Sequence, residues 1–210
     1  MRFYVLENPT LEQSDAITDF LPLDSVRTGD APECPACGEA IGMLRLLPPI
    51  QVELKLWGRG FGDLSFGPGN EFLVSERFKD TFLKAGLTGL PSFTPVKIAK
   101  VKSRKKVTEP VPRYFAVLPV RSRTAIDDRA CGMVREAPWT CHECRTDIII
   151  RFKCVVLEER TWSGEDVFFA RGLPGTVITS ERFKEFCDKH AFRNCLLIEA
   201  DRFGLDFEPE

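Results

Sequence analysis

The alternation of apolar and polar positions predicts β-strands along much of the chain. In "IQVELKLW" at residues 50–57, apolar side chains alternate with polar ones, which is typical of a strand with one buried and one solvated face. Further strands are predicted at "RFYVLE", "SFTPVKIAKV", "RYFAVLPV" and "CLLIEA". In "DIIIRFKCVVLEE" the same pattern predicts one apolar strand face formed by Ile148, Ile150, Phe152, Cys154 and Val156.

Two short helices are predicted at a repeated pentapeptide. "SERFK" at Ser75–Lys79 recurs at Ser180–Lys184, which is 105 positions later because 180 − 75 = 105. In each copy the serine is suited to cap a helix, and the glutamate that follows favours the first helical turn. In the second helix, periodicity predicts a largely apolar stripe of Phe183, Phe186, Cys187 and His190.

Other features repeat in the same order as this pentapeptide. Each half contains a CxxC motif, a strand, a loop with tryptophan, a strand, the "SERFK" helix and a final strand. Trp57 and Trp162 are also 105 positions apart, since 162 − 57 = 105. We interpret the chain as an α+β protein of two divergent copies of a β-rich unit with one helix each, residues 1–125 and 126–210. The copies are expected to pack pseudo-symmetrically as one compact unit around a shared zinc site.

Composition narrows the functional classes only slightly. The 210 residues are 43% hydrophobic and carry a net charge of −2, so overall charge favours no class of partner. No apolar run approaches the length of a membrane span, and the start of the chain lacks the apolar segment of a secretion signal. We therefore expect a cytoplasmic protein with no membrane partner, in which thiols stay reduced.

Four of the eight cysteines form two CxxC motifs, "CPACG" at 34–38 and "CHECR" at 141–145. A CxxC turn directs two thiolates to one point, and two such turns supply the four sulfurs of a tetrahedral zinc site. We predict one structural Zn²⁺ per chain, which links the two copies. Its predicted ligands are Cys34, Cys37, Cys141 and Cys144.

The residue after each motif differs between the two halves. Gly38 permits the left-handed backbone conformation that zinc-binding turns commonly use. Arg145 tolerates that conformation less well, although its positive charge can offset the negative charge of four thiolates.

Three alternatives to structural zinc remain open from the residues alone. A redox dithiol requires a CxxC at a helix N-terminus, whereas prolines precede both motifs and strands follow them. A catalytic zinc needs a nearby acid or base, for which Glu143 and His142 are the local candidates. The cysteines can also be simple free thiols. Because no hydrolase, metalloprotease or nucleotide-binding motif occurs, we do not expect an enzyme.

The remaining cysteines and the charged segments have plainer interpretations. Cys154, Cys187 and Cys195 are predicted to be small core residues, and Cys131 has no assigned role. The basic segment 97–106, "KIAKVKSRKK", suits nucleic-acid phosphates, but it lacks interleaved aromatic residues, so a solvated strand and loop is favoured over nucleic acid. The segment from Glu199 to Glu210 is acidic.

The paired CxxC motifs, the "VSERF" helix start and the segment "GLTGLPSFTPV" at 86–96 together resemble the double-CXXCG motif proteins of myxobacteria. The resemblance covers nearly the whole chain and matches at Cys34, Cys37, Gly38, Cys141 and Cys144, while Arg145 departs from the second motif. It implies an immunity protein that binds and neutralises a cognate bacterial toxin. The alternative is a zinc-ribbon protein that binds nucleic acid through the basic segment.

Overall fold

β-Strands dominate the computed structural model, which describes residues 1–206 and has a mixed α+β architecture. The three α-helices among these residues are α1 (Glu76–Lys84), α2 (Asp128–Cys131) and α3 (Glu181–His190), with 3₁₀ turns at Glu159–Thr161 and Ala200–Arg202. The strands are β1 (Phe3–Glu7), β2 (Thr18–Pro22), β3 (Ile50–Leu56), β4 (Leu64–Ser65), β5 (Phe72–Ser75), β6 (Thr94–Ser103), β7 (Tyr114–Val117), β8 (Val120–Ala125), β9 (Val134–Arg135), β10 (Ile149–Phe152), β11 (Val167–Arg171), β12 (Val177–Ser180), β13 (Leu196–Glu199) and β14 (Leu205–Asp206). The predicted α+β class is confirmed, and α2 is a helix that the sequence analysis did not find.

The two larger sheets contain stretches with the same strand order. A six-stranded sheet runs β2-β3-β6-β7-β5-β4, and a five-stranded sheet runs β13-β1-β12-β11-β8. In both β6-β7-β5-β4 and β13-β1-β12-β11, every neighbouring pair is antiparallel, and the strand that leads into a helix is third. A small third sheet has the order β14-β10-β9.

Two strands from the first half of the chain lie in the five-stranded sheet. β1 pairs with both β12 and β13, and β8 pairs in parallel with β11. The predicted ranges 1–125 and 126–210 therefore share one sheet, with strands from the first range on both sides of β12 and β11.

Burial along β3 follows its alternating sequence. Ile50, Val52, Leu54 and Leu56 are all at most 3% exposed, while the polar residues between them are half-buried. These four side chains form a core cluster with Phe20 and other apolar residues of the six-stranded sheet. The predicted half-buried strand is confirmed.

The long alternating strand predicted at "DIIIRFKCVVLEE" is wrong. β10 ends at Phe152, after which the chain bends, and this bend moves the buried positions by one residue. Val155 and Leu157 are buried in place of Cys154 and Val156, and Ile148 is 64% exposed. Alternate residues share one face only while a strand remains straight, and the local sequence does not determine that this strand ends at Phe152.

Both "SERFK" segments begin helices as predicted. The Ser75 hydroxyl accepts a hydrogen bond from the Phe78 backbone N–H (3.1 Å), and the Ser180 hydroxyl accepts one from the Phe183 N–H (3.2 Å). Helices α1 and α3 then bury their phenylalanines in one aromatic cluster, whose helical members are Phe78, Phe82, Phe183 and Phe186. The predicted stripe of α3 is buried at its two phenylalanines and Cys187, and His190 lies half-buried at its end.

A buried aspartate accepts hydrogen bonds from each helix start. Asp63 accepts from the Ser75 hydroxyl (2.7 Å) and also contacts the Arg77 guanidinium. Asp166 accepts from the Ser180 hydroxyl (2.8 Å) and from Arg182 Nη1 (3.1 Å). The serine and the arginine of the repeat thus contact a buried aspartate in both halves.

Each of these arginines also crosses to the end of the other helix. Arg77 Nη1 donates to the His190 carbonyl (3.1 Å), and Arg182 Nη2 donates to the Ala85 carbonyl (2.8 Å). These two carbonyls are 105 positions apart, since 190 − 85 = 105. The contacts are therefore reciprocal, and they satisfy carbonyl groups that a helix C-terminus leaves without internal partners.

Within the described residues, no helix has the length and apolar character needed to cross a bilayer.

Candidate metal centre

The first CxxC motif lies in a tight turn closed by backbone hydrogen bonds. The Gly38 N–H donates to the Cys34 carbonyl (2.9 Å), and the Cys34 N–H donates to the Glu39 carbonyl (2.8 Å). Gly38 has φ +77°, and a side chain there would meet no atom within 4 Å. Backbone conformation therefore favours glycine at this position, as the sequence analysis expected.

The second motif makes the same turn with an arginine at the matching position. The Arg145 N–H donates to the Cys141 carbonyl (2.9 Å), and Arg145 has φ +53°. Its guanidinium donates to Glu158 Oε1 (2.7 Å) and lies 5.2 Å from the Trp139 ring centroid. Both charged side chains are largely buried. The positive charge of Arg145 is thus paired with Glu158, and this pairing helps to hold a residue that the backbone disfavours.

The two turns bring their cysteines together. Cys34 Sγ lies 3.8 Å from Cys141 Sγ, and Cys37 Sγ lies 3.7 Å from Cys144 Sγ. All four sulfurs lie within 4.8 Å of one another. Disulfide sulfurs are about 2.05 Å apart, so these are separate thiols. A regular tetrahedron with metal–sulfur bonds of about 2.3 Å has sulfur–sulfur edges of about 3.8 Å. The sulfur separations fit a metal of that size.

Burial within the cluster is uneven. Cys34 and Cys144 are 2% and 7% exposed, Cys141 is intermediate, and Cys37 is exposed. One thiol from each motif is therefore anchored in the protein, and one edge of the cluster reaches solvent. Such an arrangement gives a metal ion an entry path while the turns hold the sulfurs in place.

Proton affinities differ strongly within the cluster. The pKa of the Cys141 thiol is lowered to about 7, chiefly because the backbone N–H groups of Cys144 and Glu143 stabilise its thiolate. The backbone N–H of Glu39 acts to lower the pKa of Cys37, but lost solvation and hydrogen bonds with the three other thiols together raise it to about 12. Four thiolates this close repel one another, so a divalent cation is the natural replacement for their protons.

A cavity of about 350 Å³ borders the cluster and is lined by Cys34 and Cys144. Arg121 and Arg171 also line it. Glu143 also lines the cavity, and its Oε2 lies 3.9 Å from Arg171 Nη1. Within the described part of the chain Arg121 has no ion pair, so its charge is available to balance a negatively charged thiolate cluster.

The geometry bears on the alternatives that the sequence left open. Neither CxxC motif lies at a helix N-terminus, which is the setting that activates a redox dithiol. His142 packs edge-on against the Trp139 ring, with centroids 5.1 Å apart, and Glu143 faces Arg171. Four converging thiols would complete the coordination of a zinc ion and leave no open position, as in structural sites.

The other cysteines lie outside this cluster. Cys131 is buried, and its sulfur accepts a hydrogen bond from the Val156 N–H (3.0 Å), while burial raises the pKa of its thiol to about 11. Cys154 is only partly buried, so its predicted core position is not fully reached. Cys187 and Cys195 have their sulfurs 3.7 Å apart, a proximity that the sequence analysis missed although both cysteines follow one "SERFK" repeat.

No protein-family model matches the chain, and no curated protein matches it.

Proposed function

We propose that Cys34, Cys37, Cys141 and Cys144 bind one structural zinc ion per chain. The proposal rests on two sulfur separations of 3.8 and 3.7 Å, which match the tetrahedral edge of a zinc–thiolate site, and on all four sulfurs lying within 4.8 Å of one another. Because two ligands come from residues 34–37 and two from 141–144, the metal would join distant parts of the chain. An all-thiolate tetrahedral set suits the coordination preferences of zinc, and iron is the other metal that this set commonly holds.

The proposed origin of this arrangement is duplication of one β-rich unit. Three observations support it: the matched strand orders, the reciprocal arginine contacts and the paired CxxC turns. A duplicated unit with one CxxC per copy supplies half of a metal site from each copy. This explains how cysteines more than a hundred residues apart would come to share one ion.

For the protein as a whole, we propose an immunity function, in which it binds and neutralises a cognate bacterial toxin in the cytoplasm. The supporting observation is the convergence of the two CxxC turns on one point, together with the resemblance to double-CXXCG motif proteins. An inhibitor of this kind acts by covering the toxin surface, so it needs a rigid scaffold and no catalytic residues. Specificity would come from complementary shape and charge.

Metal content tests the zinc proposal directly. Protein purified without added metal should contain about one zinc per chain by elemental analysis, and Cys34→Ser should reduce this at least tenfold. Cys154→Ser is the matched control, since that thiol lies outside the cluster and should leave zinc content unchanged. Zinc-free protein with an unchanged melting temperature would reject the proposal.

The immunity proposal is tested with the product of the neighbouring gene. Its expression should be toxic to a host cell, and co-expression of this protein should restore growth and allow both to be purified together. Asp201→Lys in the acidic C-terminal segment probes one contact surface, with Asp80→Lys on exposed α1 as its control. If the protein neither restores growth nor forms a complex, the proposed function is refuted, even when zinc is present.

One observation favours nucleic-acid binding as a second candidate function. The basic side chains of segment 97–106 are exposed on and after β6, and Arg104 lies 5.5 Å from the ring centroid of Trp57, which is 37% exposed. The tertiary structure thus places an aromatic ring beside the basic residues. A gel-shift with single-stranded and duplex probes at low salt decides this, with Lys97→Glu and Lys100→Glu expected to weaken any binding.

A further inference from the structure

A second pair of thiols lies at the end of helix α3, away from the metal centre. Cys187 is in the helix and is 6% exposed, while Cys195 immediately precedes β13 and is half-buried. The Cys195 thiol donates to Cys187 Sγ across 3.7 Å. Both are free thiols, and neither belongs to the four-cysteine cluster.

The matching positions of the first half carry bulky apolar side chains. Because 187 − 105 = 82 and 195 − 105 = 90, these positions are Phe82 and Leu90, which are 1% and 6% exposed in the central core. In the second half, the two smaller thiols border an open cavity of about 390 Å³. Small molecules can therefore reach these two thiols, whereas the matching side chains of the first half are buried in the core.

We propose that Cys187 and Cys195 form a reversible oxidation site, which closes to a disulfide when the protein meets hydrogen peroxide. The sulfurs need to approach by less than 2 Å to reach the disulfide separation of about 2.05 Å. Cys187 lies in the last turn of α3 and Cys195 lies in the loop just before β13, so side-chain rotation and a small shift of this loop supply the movement.

The proposed reaction has two balanced steps. The more exposed Cys195 thiolate attacks one peroxide oxygen, so an S–O bond forms, the O–O bond breaks, and the released hydroxide takes a proton to become water. The Cys187 sulfur then attacks the Cys195 sulfur. An S–S bond forms, the S–O bond breaks, and the leaving hydroxide takes the Cys187 proton to become a second water. Two thiols are oxidised, and one peroxide is reduced.

The loop between the two cysteines carries contacts to the first half of the chain. The Arg193 N–H donates to Asp63 Oδ2 (2.9 Å), and the Arg193 carbonyl accepts from the Asp63 N–H (2.8 Å). Asn194 Nδ2 donates to the carbonyls of Thr18 (3.1 Å) and Leu64 (2.9 Å). A disulfide across this loop would restrict its opening and so strengthen the junction between the halves.

Peptide mapping of the zinc-loaded full chain tests the proposal. After treatment with hydrogen peroxide, alkylation and trypsin digestion, the peptides 185–189 and 194–202 should appear linked, with a mass about 2 Da below their sum. Dithiothreitol should separate them. Amide hydrogen exchange at residues 193 and 194 should slow in the oxidised protein and recover after reduction.

Two variants serve as controls for this experiment. Cys195→Ser should abolish the linked peptide, and the double change Cys187→Phe with Cys195→Leu should fold with the residues of the first half and give no link. If peroxide instead links the cysteines of the metal centre, or oxidises Cys195 without joining it to Cys187, the proposal is overturned. Unchanged exchange at residues 193 and 194 in fully linked protein would overturn the proposed effect on the junction.

Discussion

The rings of Phe78 and Phe183 lie 6.2 Å apart at their centroids, although the residues are 105 positions apart in the chain (183 − 78 = 105). Both side chains are fully buried, and each is the third residue after its capping serine. The repeated pentapeptide therefore places the same side chain at the contact between two helices. We infer that the "SERFK" repeat is structural, because its serine caps the helix while its arginine and phenylalanine contact the other half.

Replacing either phenylalanine should destabilise the protein by a similar amount. We expect Phe78→Ala and Phe183→Ala each to cost about 3–5 kcal/mol, because each leaves a cavity in the shared aromatic cluster. The double variant should cost less than the sum, since the two rings contact each other. Chemical denaturation measures these values, with Leu83→Ala on the exposed face of α1 as the control. Strictly additive losses would contradict the contact.

The buried aspartates should be as important as the aromatic core. Asp63→Ala and Asp166→Ala each remove the acceptor for a serine hydroxyl, an arginine and a backbone N–H. The arginines are about half exposed, so we expect the loss to come from the unpaired hydroxyl and N–H, at about 1–3 kcal/mol for each group. Asp80→Ala on exposed α1 should change stability by less than about 0.5 kcal/mol. Thermal denaturation provides the comparison, and an unaffected Asp166→Ala protein would show that the hydrogen bonds of this aspartate contribute little.

Arg145 has an unfavourable left-handed backbone conformation, but its side chain forms a stabilising ion pair with Glu158. Glycine would relieve the left-handed conformation by about 1 kcal/mol. Arg145→Gly also removes the hydrogen-bonded partner of the largely buried Glu158 carboxylate and leaves that carboxylate with Arg160 Nη2, 3.8 Å away, at a cost of about 1–3 kcal/mol. We therefore expect Arg145→Gly to destabilise the protein slightly. Adding Glu158→Gln should recover the loss, and urea denaturation of both variants measures it. A stabilised single variant would mean that the ion pair is unimportant.

Stability should decline as the pH falls towards 7 and below. The pKa of Cys141 is lowered in the folded state from 9.0 to about 7, so its contribution is complete above pH 9 and is lost as the pH falls through about 7. The raised pKa of Cys37 acts in the opposite sense, but its contribution is lost only as the pH rises from 9 through about 12. Protons also compete with zinc for the thiolates, so a bound zinc would be released as the pH falls. This release and the loss of the Cys141 contribution both lower stability at acidic pH.

Parallel measurements of melting temperature and zinc content between pH 9 and pH 5 check this dependence. Both should fall together in the native protein. Cys141→Ser should flatten the profile of melting temperature over this range, whereas Cys131→Ser should keep its shape. A melting temperature that rises on acidification from pH 9 to pH 6 would contradict the assignment.

Local sequence was sufficient for the elements with strong short-range signals. The alternation of β3 and the serine caps of α1 and α3 depend on neighbours a few residues away, and the structure agrees with those predictions. The prediction of a strand beyond Phe152 was wrong because a bend at Lys153 shifts the buried face. That bend depends on distant partners such as the Ala200 carbonyl, which accepts a hydrogen bond from the Val155 N–H. The short helix α2 offered too few turns for helical periodicity to be seen.

The four cysteines of the candidate site could be named from the sequence, because CxxC spacing is itself a geometric constraint. Only the tertiary structure decided that the two turns meet with sulfurs 3.7–3.8 Å apart, since this depends on how sheets from distant segments pack. It also decided that β1 lies in the five-stranded sheet and that Cys187 faces Cys195. Spacing along a chain specifies local turns, whereas contacts across a hundred residues arise from the burial of shared apolar surface.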